Sequence, residues 1–330
     1  MKLRSMIAAL IFAVVGIQTA TALDTIYQVG ESRPKSGNIV TISPQKVVLV
    51  GRGQIRSEVP VNEIEMVIFT EDPPDLKNAK RLIQDQLDYK TALEVLEKIK
   101  KENITRRESG QDVEFFKALC KARLAIAGEG DVRKAGQEMH TFVRNNATSY
   151  HYFEAYEIVG DTLAAGGNAK AAIQYGYAKL KDAPWPATKL RADLLIARAH
   201  LSTGNAKEAL PLFEKVLAAG GSEPQKHAAT LGKARCLAAT GKAGAAQGAK
   251  LVEGVIAKAK AEEKQLHAQA YNALGHCHTK NDDPRAAVLA YLHVDVLYFM
   301  YPAERQEAKR NLDGLWRQLG MTNRANQAGR

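Results

Sequence analysis

Six alanines recur along this chain of 330 residues at nearly constant spacing. They are Ala92, Ala135, Ala172, Ala209, Ala246 and Ala287, separated by 43, 37, 37, 37 and 41 residues. Five residues before four of them stands a glycine, at Gly130, Gly167, Gly204 and Gly241, and Asp282 takes that place before the last. Each alanine lies within apolar residues at helical spacing, and each glycine lies where one helix would stop. A self-similar period of this length marks a two-helix unit repeated in a stack. Such a unit cannot bury its apolar face alone, so neighbours share one elongated core.

The middle units are the clearest. Leu190, Leu194, Ile196 and Ala197 begin an apolar face that Gly204-Asn205 interrupts; a second helix follows, with Ala209, Leu210, Phe213, Val216 and Leu217 on one side. A Leu-Gly type pair stands at Leu274-Gly275, appears as Val159-Gly160, and relaxes to Ile196-Ala197. Four residues after the alanine comes Phe213 or Tyr291, with Leu96 and Met139 in other units; Pro184 best matches a closing proline, with Pro224 and Pro302 shifted a few residues. Asp283-Pro284 supplies a cap and a first-turn proline. Over residues 75–302 this pattern resembles the tetratricopeptide repeat. The resemblance implies a mainly α protein, a right-handed α-solenoid of about six helix pairs. The departures are Gly176 and Lys250 at aromatic positions, a first unit without a turn glycine, and Gly244, Gly248 and Gly254 in the fifth unit's second helix. An interior glycine costs about 1 kcal/mol relative to alanine, so that helix is expected to be loose or packed very closely.

Past Pro302 the array stops. Ala308, Leu312, Leu315, Trp316 and Leu319 share one face of a segment whose other face is charged, which predicts a capping helix over 303–320. Residues 321–330 read as a disordered tail. Tyr298, Phe299 and Met300 are expected under the capping helix; the alternative is an exposed docking patch.

The N-terminal region is different. Lys2 and Arg4 precede an apolar stretch from Met6 to Ile17, and Ala20-Thr21-Ala22 fits a small-residue cleavage site. Residues 1–22 therefore read as a signal peptide cleaved near Ala22, and the mature chain as exported, periplasmic or secreted. Membrane contact is expected only through a partner or an uncleaved signal. Residues 23–72 then carry five short β-prone runs punctuated by Gly37, Pro44, Gly51, Gly53 and Pro60. This predicts a small β-barrel or curled sheet. The Gly-x-Ile opening at Gly37 and Ile39, and the Val59-Pro60-x-x-Glu63-Ile64 close, resemble SH3-like or Sm-like small β-barrels. Helical repeats are expected over 73–302.

The formal charge of +10 falls to +8 without Lys2 and Arg4, and 36 acidic residues are mixed among the 46 basic ones. No dense basic face is readable, so no nucleic acid is expected. The three cysteines, Cys120, Cys236 and Cys277, are too few for a disulfide framework. Equivalent positions on stacked repeats lie about 10 Å apart, beyond the roughly 7 Å reach of a disulfide. They read as small buried hydrophobes.

No phosphate loop, nucleophile elbow or His-Glu-x-x-His helix occurs. His276-Cys277-His278 cannot grip one metal ion, because residues one and two apart do not share a helix face. No metal, cofactor or enzyme activity is implied. Asn103-x-Thr105 and Asn146-x-Thr148 match glycosylation acceptors, incidental in a chain with a bacterial-looking plan.

In the repeat family the first helix of each unit lines a concave surface that grips a peptide or partner helix. Carried over by spacing, the residue eleven before each alanine should face that groove: Arg81, Leu124, Asp161, Arg198, Arg235 and His276. Lys77, Lys117, Lys121, Glu154, Glu157, Arg191 and Asn272 should lie beside them. An acidic spot at Glu154, Glu157 and Asp161 then adjoins a basic run of Arg191, Arg198 and Arg235. Either arginine forks hold an acidic peptide, or Asp161 and Arg198 neutralise each other. The expected function is a non-enzymatic scaffold of the bacterial cell envelope, binding a peptide or helix of another envelope protein. The alternative is an anionic-polymer or cell-wall binding protein with a basic groove.

Overall fold

The computed structural model describes residues 23–321 and residue 323. The expected signal peptide and most of the expected tail lie outside these residues.

Each β-prone run forms one strand: β1 (Asp24–Gln28), β2 (Lys35–Ile42), β3 (Lys46–Val50), β4 (Arg56–Pro60) and β5 (Ile64–Ile68). They make one antiparallel sheet in the order β4-β3-β2-β1-β5. Irregular register at Tyr27/Gln28 and between Ile39 and Thr41 bends the sheet. β4 and β5 are its two edges, so it is curled and open. Gly37 is needed where β2 passes over β3, because a Cβ there would stand 2.6 Å from the Val50 carbonyl oxygen. The concave face buries Ile26, Val47, Leu49, Val59, Val67 and Phe69, with Tyr150 from the helical region packed among them.

Thirteen α-helices follow among the described residues. They pair as α1 (Pro74–Gln86) with α2 (Tyr89–Glu97), α3 (Arg107–Ile126) with α4 (Val132–Asn145), and α5 (Tyr152–Ala165) with α6 (Ala169–Ala171) and its continuation to Asp182. Next come α7 (Pro186–Ser202) with α8 (Ala206–Ala218), α9 (Glu223–Ala238) with α10 (Lys242–Lys258), and α11 (Lys264–Lys280) with α12 (Pro284–Leu292). α13 (Pro302–Gln318) closes the array. The architecture is a tetratricopeptide-type solenoid behind a small antiparallel sheet.

The turn glycines do what their spacing implies. Gly130, Gly167, Gly204 and Gly241 have φ of 135°, 80°, 79° and 117°, and Asp282 in the equivalent place has φ 64°. In the first unit this position is Leu87, φ 53°, a left-handed leucine with its side chain in solvent. The missing glycine thus conceals a normal turn. Five of the six repeat alanines are buried. Ala246 is only half-buried, because in the fifth unit the close crossing falls on Ala245 and Gly248. A Cβ on Gly248 would lie 2.6 Å from the Ala234 carbonyl and 3.1 Å from Cys277 Sγ, so at that point α10 is packed very closely.

Gly176 has a related explanation. The chain from Ala172 to Gly176 makes a π turn, which inserts a residue and moves Tyr177 into the aromatic position. Gly160 lies beneath the Tyr177 ring, where a Cβ would meet it at 2.4 Å, and Gly176 packs against the Gly160 backbone. Gly232 receives Phe213 and Gly275 receives Tyr291 in the same fashion.

α13 buries Ala308, Leu312, Leu315 and Trp316, the face expected of a cap. Tyr298 packs beside it, near His267 and Tyr271. Phe299 and Met300 do not: they are exposed, because a π turn at His293–Leu297 swings them outward with Val296 and Leu297. All three cysteines are free and buried, and burial holds their thiols high, at about 12 for Cys120 and about 11 for Cys236 and Cys277. Asn146 is buried, its amide donating to Glu114 and to the Phe142 carbonyl, which closes it to modification.

Charged side chains fix the sheet to the array. Lys80 of α1 is fully buried, 2.7 Å from Asp72 and 2.6 Å from Asp112 of α3, and it also donates to the Val67 carbonyl of β5. Ser109 donates to Asp72, Tyr150 donates to Asp112, and His151 Nε2 stands 3.1 Å from the same carboxylate. Nearby, Arg106 places one nitrogen on both oxygens of Asp24 and lies over the Phe69 ring. Lys77 donates to the Thr70 carbonyl. The sheet is thereby held as a wall beside the concave face of the helices.

Candidate functional site: a trough along α7

One stripe of α7 organises the concave surface. Thr188, Arg191, Leu194 and Arg198 recur at three- and four-residue steps, and Leu201 and Ser202 stand three and four beyond Arg198, so these six share one broad face; Trp185 precedes the first turn. Three cavities line up on that stripe. The first, about 500 Å³, lies between the sheet and the helices and reaches Trp185, Thr188 and Arg191. The second, about 520 Å³, continues from Arg191 through Leu194 to Arg198. The third, about 340 Å³, runs from Arg198 to Ser202 and is closed by Ala303, Glu304 and Glu307 of α13. Arg191 and Arg198 are each shared by two cavities, so the three form one trough.

The first cavity mixes apolar and polar lining in about equal measure. Ile64 and Met66 of β5 face Phe116, Phe153 and Trp185, with Phe153 and Trp185 edge to face at 5.7 Å. Its charges are mostly paired. Arg123 is 3.1 Å from Asp161, which also accepts from the Tyr177 hydroxyl. Arg191 forks onto both oxygens of Glu157, with Nε 2.6 Å from Oε2. Burial, and then the neighbouring Glu157, raise the Asp161 carboxyl above its ordinary range. Hydrogen bonding to Glu157 holds the Arg191 guanidinium up.

Arg198 differs from all of these. Among the described residues it makes no hydrogen bond and no ion pair, and its side chain is exposed to the trough. The surrounding protein disfavours its charge, and Arg191 and Arg235 add repulsion from either side, so its pKa is lowered from that of an ordinary arginine. Arg235 is itself engaged, 2.7 Å from Glu307 of α13. Glu304 accepts from Gln269 at 3.1 Å. The expected neutral pair of Asp161 and Arg198 does not form, since Asp161 is taken by Arg123 and Tyr177.

The residues expected in the groove therefore separate. Glu157, Arg191, Arg198 and Arg235 meet along the trough, with Asp161 behind them. Arg81 is exposed on α1, where Ile83 and Gln84 are the residues that reach the first cavity. Lys121 pairs with Glu138 of α4 at 2.8 Å and, with Leu124, lines a separate small cavity between α3 and α4. The reason is loop length. The α3–α4 connection spans residues 127–131, against 166–168 between α5 and α6, so counting eleven back from Ala135 stops short of the groove face. Phe116, Leu119 and Arg123 occupy that face instead. Asn272 is buried and donates to the Glu304 carbonyl, fastening α11 to α13 rather than facing a ligand. His276 is half-buried and lines none of the three cavities; burial, then Arg235 and Lys280, push it down to about 4, so it is neutral.

Arg123, Phe116 and Trp185 were missed by counting from the alanines. Trp185 could have been found from sequence, as a large aromatic directly before a helix-starting proline. Among the described residues no three His, Cys, Asp or Glu side chains converge as a metal site, and no helix is long and apolar enough to cross a membrane.

Residues 194–251 match the family model described as tetratricopeptide repeat. That span contains α8 and α9 and most of α7 and α10. Among solved structures, NprR in complex with its cognate peptide NprX is similar, with a TM-score of 0.52 and 14% identity, covering 77% of this chain and 75% of that one. The tetratricopeptide-repeat domain of P58(IPK) also matches, at 15% identity over 77% of this chain and 71% of that one, with a TM-score of 0.26. No curated protein sequence matches the chain.

Proposed function

We propose that this protein is an exported, non-enzymatic scaffold of the bacterial envelope whose concave trough holds a segment of another envelope protein. The observation that carries this is Arg198. A guanidinium exposed in a trough, flanked by two further arginines and given no partner of its own, is prepared for an anionic group from outside. The fold shared with NprR, which was crystallised with a peptide, is consistent with a peptide in that place. Export rests on the sequence of residues 1–22.

A peptide fits better than an anionic polymer. A polymer would need a row of free cations, yet Arg191 and Arg235 already carry Glu157 and Glu307. One free arginine beside cavities of mixed polar and apolar lining suits a segment of mixed character.

Ser202 is exposed and lines the third cavity, so a photoreactive residue there should crosslink one dominant envelope protein in cells. The adduct should disappear in Arg198→Glu. Adducts confined to the chain itself would remove the proposal.

A further inference from the structure

The two ends of the trough differ in whether their cations are paired, and that difference specifies its occupant more closely than the presence of a groove does. At the sheet end, half-buried Ile64, Met66, Phe116 and Trp185 offer apolar surface, and the buried Phe153 ring backs it. The cations there, Arg123 and Arg191, are spent on Asp161 and Glu157. Glu154 remains exposed at this end and disfavours a second carboxylate beside it. At the α13 end the unpaired Arg198 looks into the second and third cavities.

We infer that the occupant is an extended peptide segment that places an apolar side chain against Trp185 and a carboxylate side chain on Arg198, in that order along α7. This rests on the trough being the binding site proposed above, and adds to it the class of segment, its direction and its length. Trp185, just before the first turn of α7, and Arg198 are thirteen positions apart, an axial rise of about 20 Å at 1.5 Å per residue. An extended chain advances about 3.3–3.6 Å per residue, so the apolar and acidic residues should lie about six positions apart. An α-helical occupant would need about thirteen positions for the same span. The sheet is part of the recognition surface in this arrangement, because Ile64 and Met66 of β5 form one wall of the apolar end. That gives the buried Lys80 junction a purpose in binding: it fixes the wall against which the apolar residue seats.

The test uses the full chain and a displayed library of random eighteen-residue peptides. Enriched peptides should combine an aromatic or large aliphatic residue with an Asp or Glu about six positions away. A synthetic peptide of that pattern, followed by fluorescence anisotropy, should lose at least tenfold in affinity on Arg198→Glu. It should lose a similar factor when its own spacer is shortened by three residues, a change that cannot disturb the protein's folding. Selected peptides that lack an acidic residue, or that tolerate both the spacer change and Arg198→Glu, would overturn the two-point arrangement. So would enrichment at a spacing near thirteen, which would make the occupant a helix. If the Ser202 crosslink names a partner while the spacer proves irrelevant, the groove stands and only this inference fails. If neither crosslink nor enrichment appears, both fail.

Discussion

The junction between sheet and helices and the middle of the trough are both built from basic side chains and carboxylates, and they use them in opposite ways. At the junction Lys80, Asp72 and Asp112 have no solvent exposure, and every charge has partners from several elements. In the trough Arg198 is exposed and has none. A buried charge without a partner is costly, so the junction had to be completed within the chain. The charge of Arg198 is also disfavoured by the surrounding protein, but its exposure in the trough keeps that cost low enough for it to stand without a partner. The difference separates charges that hold the molecule together from one that is free to recognise something.

The largest effect should come from breaking the junction. Lys80→Met leaves two carboxylates in a dry site, and removal of one partner from a buried ion pair costs about 3–5 kcal/mol. Chemical denaturation should show a loss of that size. A loss below 1 kcal/mol would mean that water reaches the site and that the two regions do not differ as described.

His151 should make the junction sensitive to pH. It stacks on Phe115 at 3.7 Å and faces Asp112 and Glu154, with Lys80 and Tyr150 bonded to the same Asp112. Burial alone would lower its pKa; the hydrogen bonds to Asp112 and Glu154 outweigh it and hold the imidazole above its ordinary 6.5. The stabilisation is therefore complete below about pH 6.5 and is lost as pH rises through the folded value. Asp112 acts on the other side. Burial would raise it, but the charge of Lys80 and the bond to His151 hold it below 3.8, so its contribution is lost in acid. His151→Gln should cost about 1–3 kcal/mol at pH 6 and flatten the decline in stability above it. A decline of equal slope in both proteins would show that another group carries it.

The first turn of the array offers a smaller effect and also marks what the sequence concealed. A left-handed residue that is not glycine costs roughly 1–2 kcal/mol. Leu87→Gly should thus raise stability by about 1 kcal/mol after the entropy lost to a flexible residue, read from the same denaturation curves. Unchanged or lowered stability would mean that the leucine side chain contributes more than its exposure suggests.

The solenoid was legible because its signals are local. A glycine at a left-handed turn and an alanine at a helix crossing are each imposed by a few neighbouring atoms, and they repeat. The π turn before Tyr177 and the two extra residues between α3 and α4 broke the count, each by one or two positions, while Leu87 kept the count and hid the turn behind a residue type that does not signal one. Those slips were enough to misplace Lys121 and to hide Arg123. The pairing of charges was not legible at all. Which carboxylate takes which arginine depends on side chains brought together from 10 to 80 residues apart, as with Arg305 and Asp295 or Arg106 and Asp24. A spacing rule places residues on a face but cannot say which of them is already satisfied.

Glu307→Gln sharpens the comparison from the trough side. It removes the partner of Arg235 in a partly exposed pair, a change worth about 0–1 kcal/mol in stability. It also leaves a second guanidinium free beside Arg198. Peptides selected on the parent chain should bind this variant more tightly, and acidic ones most of all. Weaker binding would mean that the Glu307 carboxylate positions the site rather than competing for it.

The smallest expected effect is the most discriminating. Arg198→Ala removes an exposed side chain with no partner, and surface substitutions of that kind stay within about 0.5 kcal/mol. Its stability could even rise slightly, because the repulsion from Arg191 and Arg235 disappears with it. The same substitution should weaken acidic-peptide binding at least tenfold. A residue that costs nothing to the fold and much to binding is kept for the partner, whereas Lys80 should show the reverse ratio. Should Arg198→Ala instead lose 2 kcal/mol or more, the guanidinium would be holding the trough walls together, and the contrast between junction and trough would collapse.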